Sequence, residues 1–316
     1  MLVVTSLLVS VQGAQLTQDS QKYCSATSDW PGWGKVQYAF IFGDSYTSTG
    51  FETNGTQPTP TNPLGNPPYP GYPATNGQNW VDYLTVKDNK STVLTYNLTN
   101  GGATVNSDLV APYKPEVSSI AEQIENQFFP TYAGKPKQLH GNSYFLGVPA
   151  TTNLNERVMA VYHGLIDELY YIGARNFAFL NVPPADRSPL SISGGAASQA
   201  QEKLDIADWN DRLAALAQNL KRTFSDVNIF TIDVHALFTN VLDNPKSFPQ
   251  TAVYQNTTAY CIAYENGTPT PNYTDPSCYI PVNEYFWLDS LHPTYPMHDI
   301  LAQGVAKVLE SGLNVC

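Results

Sequence analysis

Positively charged side chains are scarce in this chain of 316 residues. It has 16 Lys and Arg against 27 Asp and Glu, which gives a formal net charge of -11. So few cations leave no basic patch that could neutralise the phosphates of a nucleic acid, and we expect no nucleic-acid partner. By contrast, 42% of the residues are hydrophobic, which is ample for the core of one globular domain.

Long apolar runs are also missing, except at the start of the chain. Residues 1–13 are a short apolar run with small residues, Val11 and Gly13, before Ala14, and we interpret them as a secretory leader. The usual Lys or Arg near Met1 is absent, so an ordinary apolar terminus remains the alternative. No later stretch approaches the ~20 apolar residues of a membrane span. We therefore expect a secreted, extracellular single domain over residues 14–316, with no membrane partner.

Cysteine is limited to four residues, an even number that favours disulfides in an oxidising compartment. Cys261 and Cys278 bracket a loop rich in Pro, Asn and Thr, whereas Cys24 and Cys316 lie at the two ends of the mature chain. We favour the pairs 261–278 and 24–316, although the sequence leaves all three pairings open. No two of the four cysteines are spaced closely enough to indicate a zinc site, and we expect no metal.

Acceptor triplets for N-glycosylation are frequent and also favour an extracellular protein. Six of them begin at Asn54, Asn89, Asn97, Asn256, Asn266 and Asn272.

Short apolar runs alternate with helical patterns along the chain. The runs cover residues 36–42, 93–98, 143–148, 177–182 and 227–232, and the helical patterns cover residues 154–172 and 204–224. This alternation predicts an α/β fold, a three-layer α/β/α sandwich around a parallel sheet of about five strands, flavodoxin-like in type. Residues 57–72 and 254–285 are insertions rich in Pro, Asn and Tyr, and the first is expected to overhang the carboxyl ends of the strands.

A hydroxyl nucleophile with its base can be assembled from two short motifs. Ser45 follows Gly43-Asp44 directly after the first buried run, and Asp289 precedes His292 by three residues near the end of the chain. That spacing puts two side chains on the same side of a helical turn, so the carboxylate can orient the imidazole that accepts the serine proton. Taken alone, each motif has a structural alternative, a turn with a helix cap and a surface ion pair.

The order and distance of these motifs resemble the SGNH, or GDSL, hydrolase family, and within it the secreted fungal acetylesterases that act on plant cell-wall carbohydrates. The likeness runs over about residues 28–312 and is carried by residues 42–47, 62–72, 101–105, 173–177 and 289–293. The resemblance implies that Ser45 is the nucleophile, His292 the base and Asp289 its orienting partner.

The same resemblance implies an oxyanion hole, in which one donor is in doubt. The backbone N–H groups of Ser45 and Gly102 are the expected donors, with Gly101 as an alternative to Gly102. The family has Gly-x-Asn-Asp after the third strand, but Pro149 stands where that asparagine donor belongs. Asn153 could substitute, although we favour its interpretation as the cap of the following helix. A missing coding stretch is another explanation, and a lost donor costs about 100- to 1,000-fold in turnover.

We therefore expect a serine esterase that removes short acyl groups, mainly acetyl, from cell-wall carbohydrate through an acyl-serine intermediate, as a monomer and without cofactor. The substrate class follows from the resemblance alone. Two alternatives stay open: a general esterase or lipase that prefers longer chains, and a weak or inactive carbohydrate-binding pseudoenzyme. The residues expected to contact the substrate are Asp44, Tyr46, Tyr69, Tyr72 and Trp80.

Overall fold

The computed structural model describes residues 2–6, 23–133 and 154–316. Its strands are β1 (Leu2–Ser6), β2 (Tyr23–Ser25), β3 (Tyr38–Phe42), β4 (Leu94–Asn97), β5 (Asn176–Leu180), β6 (Asn228–Ile232) and β7 (Leu313–Val315). Its helices are α1 (Trp80–Val86), α2 (Ile120–Glu122, continued by the π-helix Gln123–Ala133), α3 (Leu154–Tyr171), α4 (Pro189–Ser193), α5 (Ala196–Thr223), α6 (Val234–Asp243) and α7 (Tyr295–Ser311). The α/β class predicted from the sequence is confirmed.

Within these ranges, five parallel strands form one sheet in the order β4-β3-β1-β5-β6. Apolar side chains leave β3 on both sides, as a strand buried on both faces requires. Phe40 and Phe42 pack with α2, α3 and α5, whereas Ala39 and Ile41 pack with α1, α6 and α7. The predicted strands at residues 36–42, 93–98, 177–182 and 227–232 and both predicted helices are confirmed to within a few residues, except that α5 starts eight residues earlier.

The central position of the sheet is occupied by β1, which was not predicted as a strand. Val4 lies opposite Ile41 on one neighbour and Ala178 on the other. The strand predicted at residues 143–148 lies outside the described residues. A leader cleaved before Ala14 would remove β1, so the predicted leader and this strand concern the same residues. The leader remains a prediction that N-terminal sequencing of the secreted protein can test.

Two disulfides join distant or loosely structured parts of the chain. Cys24 in β2 is bonded to Cys316, next to β7, and these two strands pair antiparallel. Cys261 is bonded to Cys278 and closes the second insertion. Both pairs are the ones favoured from the sequence. Among the described residues, no helix is long and apolar enough to cross a membrane.

Candidate active site

Ser45 sits in the turn that follows β3, and a buried glutamine fixes the start of that turn. The Gly43 N–H donates to Gln123 Oε1 at 2.9 Å, and Gln123 Nε2 donates back to the Gly43 carbonyl at 2.8 Å. Because Gln123 is fully buried, both bonds are shielded from water. Nothing in the Gly-Asp-Ser motif pointed to Gln123. Five of the ten residues 120–129 are polar, so the sequence around Gln123 carried no signal that distinguished it.

The segment after Ser45 is held by two buried asparagines. The Asn79 amide donates to the carbonyls of Thr47 and Ser48, at 2.8 and 3.1 Å. The Asn97 amide, at the end of β4, donates to the same Thr47 carbonyl at 2.8 Å. Asn79 is also the N-cap of α1, where its side-chain oxygen accepts the N–H of Val81 and Asp82. The turn that carries the nucleophile is thus fixed to two elements of the fold.

The serine, histidine and aspartate predicted from the sequence form one hydrogen-bonded chain. His292 Nε2 lies 2.7 Å from Ser45 Oγ, and His292 Nδ1 lies 2.8 Å from Asp289 Oδ2. The second oxygen of Asp289 accepts the backbone N–H of Leu291 and His292, at 2.7 and 2.8 Å. The carboxylate therefore holds both the imidazole and the loop that carries it.

Two opposing effects act on the Asp289 carboxyl. Burial alone would raise its pKa, but the hydrogen bond and charge of His292, together with the two backbone N–H groups, hold the pKa below its usual value. An ionised Asp289 keeps the proton of His292 on Nδ1, which leaves Nε2 free to accept the proton of Ser45.

Tyr46 connects the nucleophile's turn to the loop of the base. Its hydroxyl donates to the Leu291 carbonyl at 2.6 Å, and its ring lies 5.5 Å from the imidazole of His292. The ring of His298, in the first turn of α7, lies 6.4 Å from the Tyr46 ring. The contact between Tyr46 and Leu291 joins two segments that are about 245 residues apart in sequence.

The turn after β4 brings two glycines beside Ser45. The Asn100 N–H donates to the Gly43 carbonyl at 3.1 Å, and a Cβ placed on Gly101 would lie 3.9 Å from Ser45 Cβ. Gly102 has a φ of +82°, and a Cβ there would lie 2.3 Å from the ring of Tyr113. Glycine is therefore required at position 102, whereas position 101 has room for a methyl group.

Pro149 and Asn153 lie outside the described residues, so the loss of the third oxyanion donor at Pro149, and its replacement by Asn153, remain predictions. Among the described residues, no cluster of three His, Cys, Asp or Glu side chains could hold a metal ion.

The five residues expected to contact the substrate separate into two groups. Trp80 is 1% exposed and donates to Thr47 Oγ1 at 3.2 Å, Tyr46 is 6% exposed, and Asp44 is buried as well. Because they are buried, Trp80 and Tyr46 cannot stack on a sugar in this fold. Asp44 supports the turn of the nucleophile, where its carboxylate accepts the Tyr46 N–H at 3.0 Å. Tyr69 and Tyr72 are 48% and 79% exposed and keep the predicted role open.

The glycosylation triplets also need one correction. Asn97 is buried, and its amide makes the bond to Thr47 described above and a second bond to Thr49 Oγ1 at 3.0 Å. This fold leaves no room for a glycan at Asn97. The other five acceptors, which are exposed or half-buried, are Asn54, Asn89, Asn256, Asn266 and Asn272.

Comparison with known proteins agrees with this geometry. The sequence profile of the family described as GDSL-like lipase/acylhydrolase matches residues 40–305. An acetylesterase of Thermothelomyces thermophilus is 31% identical over 323 aligned residues, which cover 96% of each chain. A thermolabile hemolysin of Vibrio parahaemolyticus is 27% identical over 89% of this chain and 65% of its own length. A GDSL esterase/lipase of Arabidopsis thaliana is 23% identical over 58% of this chain and 48% of its own length. The chain belongs to the GDSL-like lipase/acylhydrolase family and is a carboxylic ester hydrolase.

Proposed function

We propose that the chain hydrolyses short acyl esters, mainly acetyl esters, with Ser45 as the nucleophile. One observation carries the proposal: the hydrogen-bonded chain from Ser45 Oγ through His292 to Asp289, with distances of 2.7 and 2.8 Å. A serine hydroxyl needs such a base, and the base needs a partner that fixes its tautomer.

The reaction follows from these contacts. As Ser45 Oγ bonds to the acyl carbon, its proton passes to His292 Nε2, and the carbonyl oxygen becomes negatively charged. We assign the stabilisation of that oxygen to the backbone N–H groups of Ser45 and Gly102, since the turn of the glycine pair lies against Ser45, where a Cβ on Gly101 would be 3.9 Å from Ser45 Cβ. The proton then moves to the leaving alcohol oxygen while its bond to carbon breaks. Water, activated by the same histidine, releases the acid and restores Ser45.

The proposed substrate is acetylated plant cell-wall carbohydrate. It is supported by the similarity to an acetylesterase, which covers 96% of both chains, and by the resemblance of residues 62–72 to the carbohydrate-active members of the family. The proposal includes secretion, because both disulfides are stable in an oxidising compartment. It also includes a single three-layer domain, since a separate core lies on each face of the sheet. We propose that this domain acts as a monomer.

Two measurements test the proposal against its alternatives. We expect kcat/KM on nitrophenyl acetate to exceed that on nitrophenyl octanoate by at least about tenfold, because the proposed substrates carry acetyl groups. A preference for octanoate would indicate the lipase alternative. Release of acetate from acetylated xylo-oligosaccharides distinguishes an esterase from a pseudoenzyme, which would bind these sugars without releasing acetate.

A further inference from the structure

A cleft of about 740 Å³ adjoins the candidate active site on the side of Asp289. We call it the side cleft. Two segments line it, one within residues 70–77 and the other within residues 265–271, together with Leu288 and Asp289. Asp289 is the residue that orients the base, so the wall of the side cleft lies two hydrogen bonds away from the Ser45 hydroxyl. The side cleft therefore meets the catalytic chain at Asp289, whereas Ser45 and His292 do not line it.

The two segments are joined directly to each other. Asn76 Nδ2 donates to Thr268 Oγ1 at 2.9 Å, and the Thr268 N–H donates to Asn76 Oδ1 at 2.7 Å. The first segment is also bonded to α7, where the Tyr295 N–H donates to the Thr75 carbonyl at 2.9 Å. The disulfide Cys261–Cys278 closes the loop that contains the second segment. The side cleft is thus formed before any ligand arrives, which lowers the entropic cost of binding.

Tyr72 presents a large aromatic face at this cleft. Its N–H donates to the Thr49 carbonyl at 3.0 Å, and its ring packs against Gly50, where a Cβ would lie 3.0 Å from the ring. Although one side of the ring is supported in this way, 79% of the side chain remains exposed. An exposed ring that is supported on one side can stack on a flat, partly apolar ligand in the cleft that it lines.

The chemistry of the lining favours a neutral polar ligand. The charged residues that line the cleft are Asp289 and Glu265, and no Lys, Arg or His contributes to the described lining. Acidic groups repel phosphates and carboxylates. The side chains of Asn266 and Glu265 offer hydrogen bonds that an aliphatic acyl chain cannot use, whereas those of Asn76 and Thr268 are bonded to each other. A sugar fits both properties, because its hydroxyl groups bond to such groups and the C–H face of its ring stacks on tyrosine.

We propose that the side cleft is a binding site for neutral sugar residues of the substrate chain next to the acylated residue, with Tyr72 as the stacking platform. The inference rests on the proposed esterase function and gives it a direction: the substrate is an oligosaccharide instead of a single sugar. The side cleft then determines which esters are hydrolysed fast, while Ser45, His292 and Asp289 perform the chemistry.

The test compares wild type with Tyr72→Ala on three substrates: nitrophenyl acetate, acetylated xylose and acetylated xylotriose. Both proteins are first deglycosylated enzymatically, because a glycan on Asn266 would stand at the rim of the cleft. We expect kcat/KM of wild type to be higher for the trisaccharide than for the single sugar. In Tyr72→Ala, the ratio of the trisaccharide to nitrophenyl acetate should fall about three- to tenfold, the value of one lost stacking contact.

Tyr279→Ala is the matched control. Tyr279 is 93% exposed and belongs to the insertion that supplies the second segment of the cleft, but it does not line the side cleft, so this variant should keep the wild-type ratio. Equal rates for xylose and xylotriose, or an unchanged ratio in Tyr72→Ala, would overturn the inference while leaving the esterase intact. If Tyr72→Ala instead lowers kcat/KM only for nitrophenyl esters of longer acids, measured in the same series, the cleft binds the acyl chain and the inference is overturned. If wild type fails on nitrophenyl acetate itself, the proposed function is what fails.

Discussion

The buried imidazole of His298 makes the protein sensitive to acid in a way that can be calculated. His298 is fully buried in α7, and neither ring nitrogen has a hydrogen-bond partner among the described residues. Burial, together with the nearby His292, lowers the pKa of His298 to about 3. In the unfolded chain a histidine titrates near 6.5, as in model peptides. The unfolded state therefore binds a proton first as the pH falls.

The sign and size of the effect follow from this difference. Because the folded pKa lies below the unfolded one, the stability from a neutral His298 is complete above about pH 6.5 and is lost as the pH falls towards 3. A pH of 4.5 is about two units below the unfolded pKa, and each unit lowers the free energy of unfolding by about 1.4 kcal/mol. His298 alone should then lower the free energy of unfolding by about 3 kcal/mol between pH 7 and pH 4.5.

The substitution His298→Leu removes the titration and keeps roughly the same volume. It leaves no ring nitrogen without a partner, so we expect a modest stability change at pH 7. Urea unfolding, followed at pH 7 and pH 4.5 with both disulfides intact, gives the loss of stability on acidification for each protein. That loss should be about 3 kcal/mol smaller in His298→Leu than in wild type. The carboxylates titrate in both proteins and cancel, so equal losses would refute the reasoning.

Three further predictions concern the active site. Tyr46→Phe removes the donor to the Leu291 carbonyl and should lower kcat about tenfold with little change in KM, measured by steady-state kinetics on nitrophenyl acetate. Gly102→Ala places a methyl group where a ring already packs, at a φ of +82°, and should lower kcat about 10- to 100-fold, whereas Gly101→Ala, which meets only an ordinary contact, should lower it less. The low pKa of Asp289 keeps this carboxylate charged in acid, so its protonation should add nothing to the fall of kcat/KM on acidification, which should have the slope of a single proton.

Each of these has a result that would count against it. An unchanged kcat in Tyr46→Phe would mean that the bond to Leu291 does not position the base. A larger loss in Gly101→Ala than in Gly102→Ala would move the oxyanion donor to residue 101. A two-proton slope on the acid side would show that Asp289 titrates together with the base.

Local patterns in the sequence predicted most of the fold, but they could not predict its central strand. Tyr38–Phe42 is a continuous apolar run, which marks a strand buried on both faces, and Asn228–Ile232 is apolar at three of its five positions. The place of Leu2–Ser6 between β3 and β5 is different, because pairing between parallel strands depends on partners far away in sequence. An apolar run at the start of a chain is also the pattern of a leader, and residue composition does not separate the two.

The site shows the same division between local and long-range information. The base could be predicted because Asp289 and His292 are three residues apart, and the spacing itself brings them together. Gln123, which fixes Gly43, is 80 residues away from it, so no spacing rule connects the pair. Composition could not separate the buried Trp80 from the exposed Tyr72 either, since both lie in or near one aromatic-rich insertion.

The nucleophile is the central claim, and acetate release by wild type and Ser45→Ala tests it most directly. The substitution removes one oxygen beside His292 and leaves the hydrogen bonds of Gln123, Asn79 and Asp289 in place, so circular dichroism should show an unchanged fold. We predict that wild type releases acetate from acetylated xylo-oligosaccharides and nitrophenyl acetate, and that Ser45→Ala is slower by at least about a thousandfold. Equal rates in the two proteins, whether both are active or both inactive, would contradict the claim.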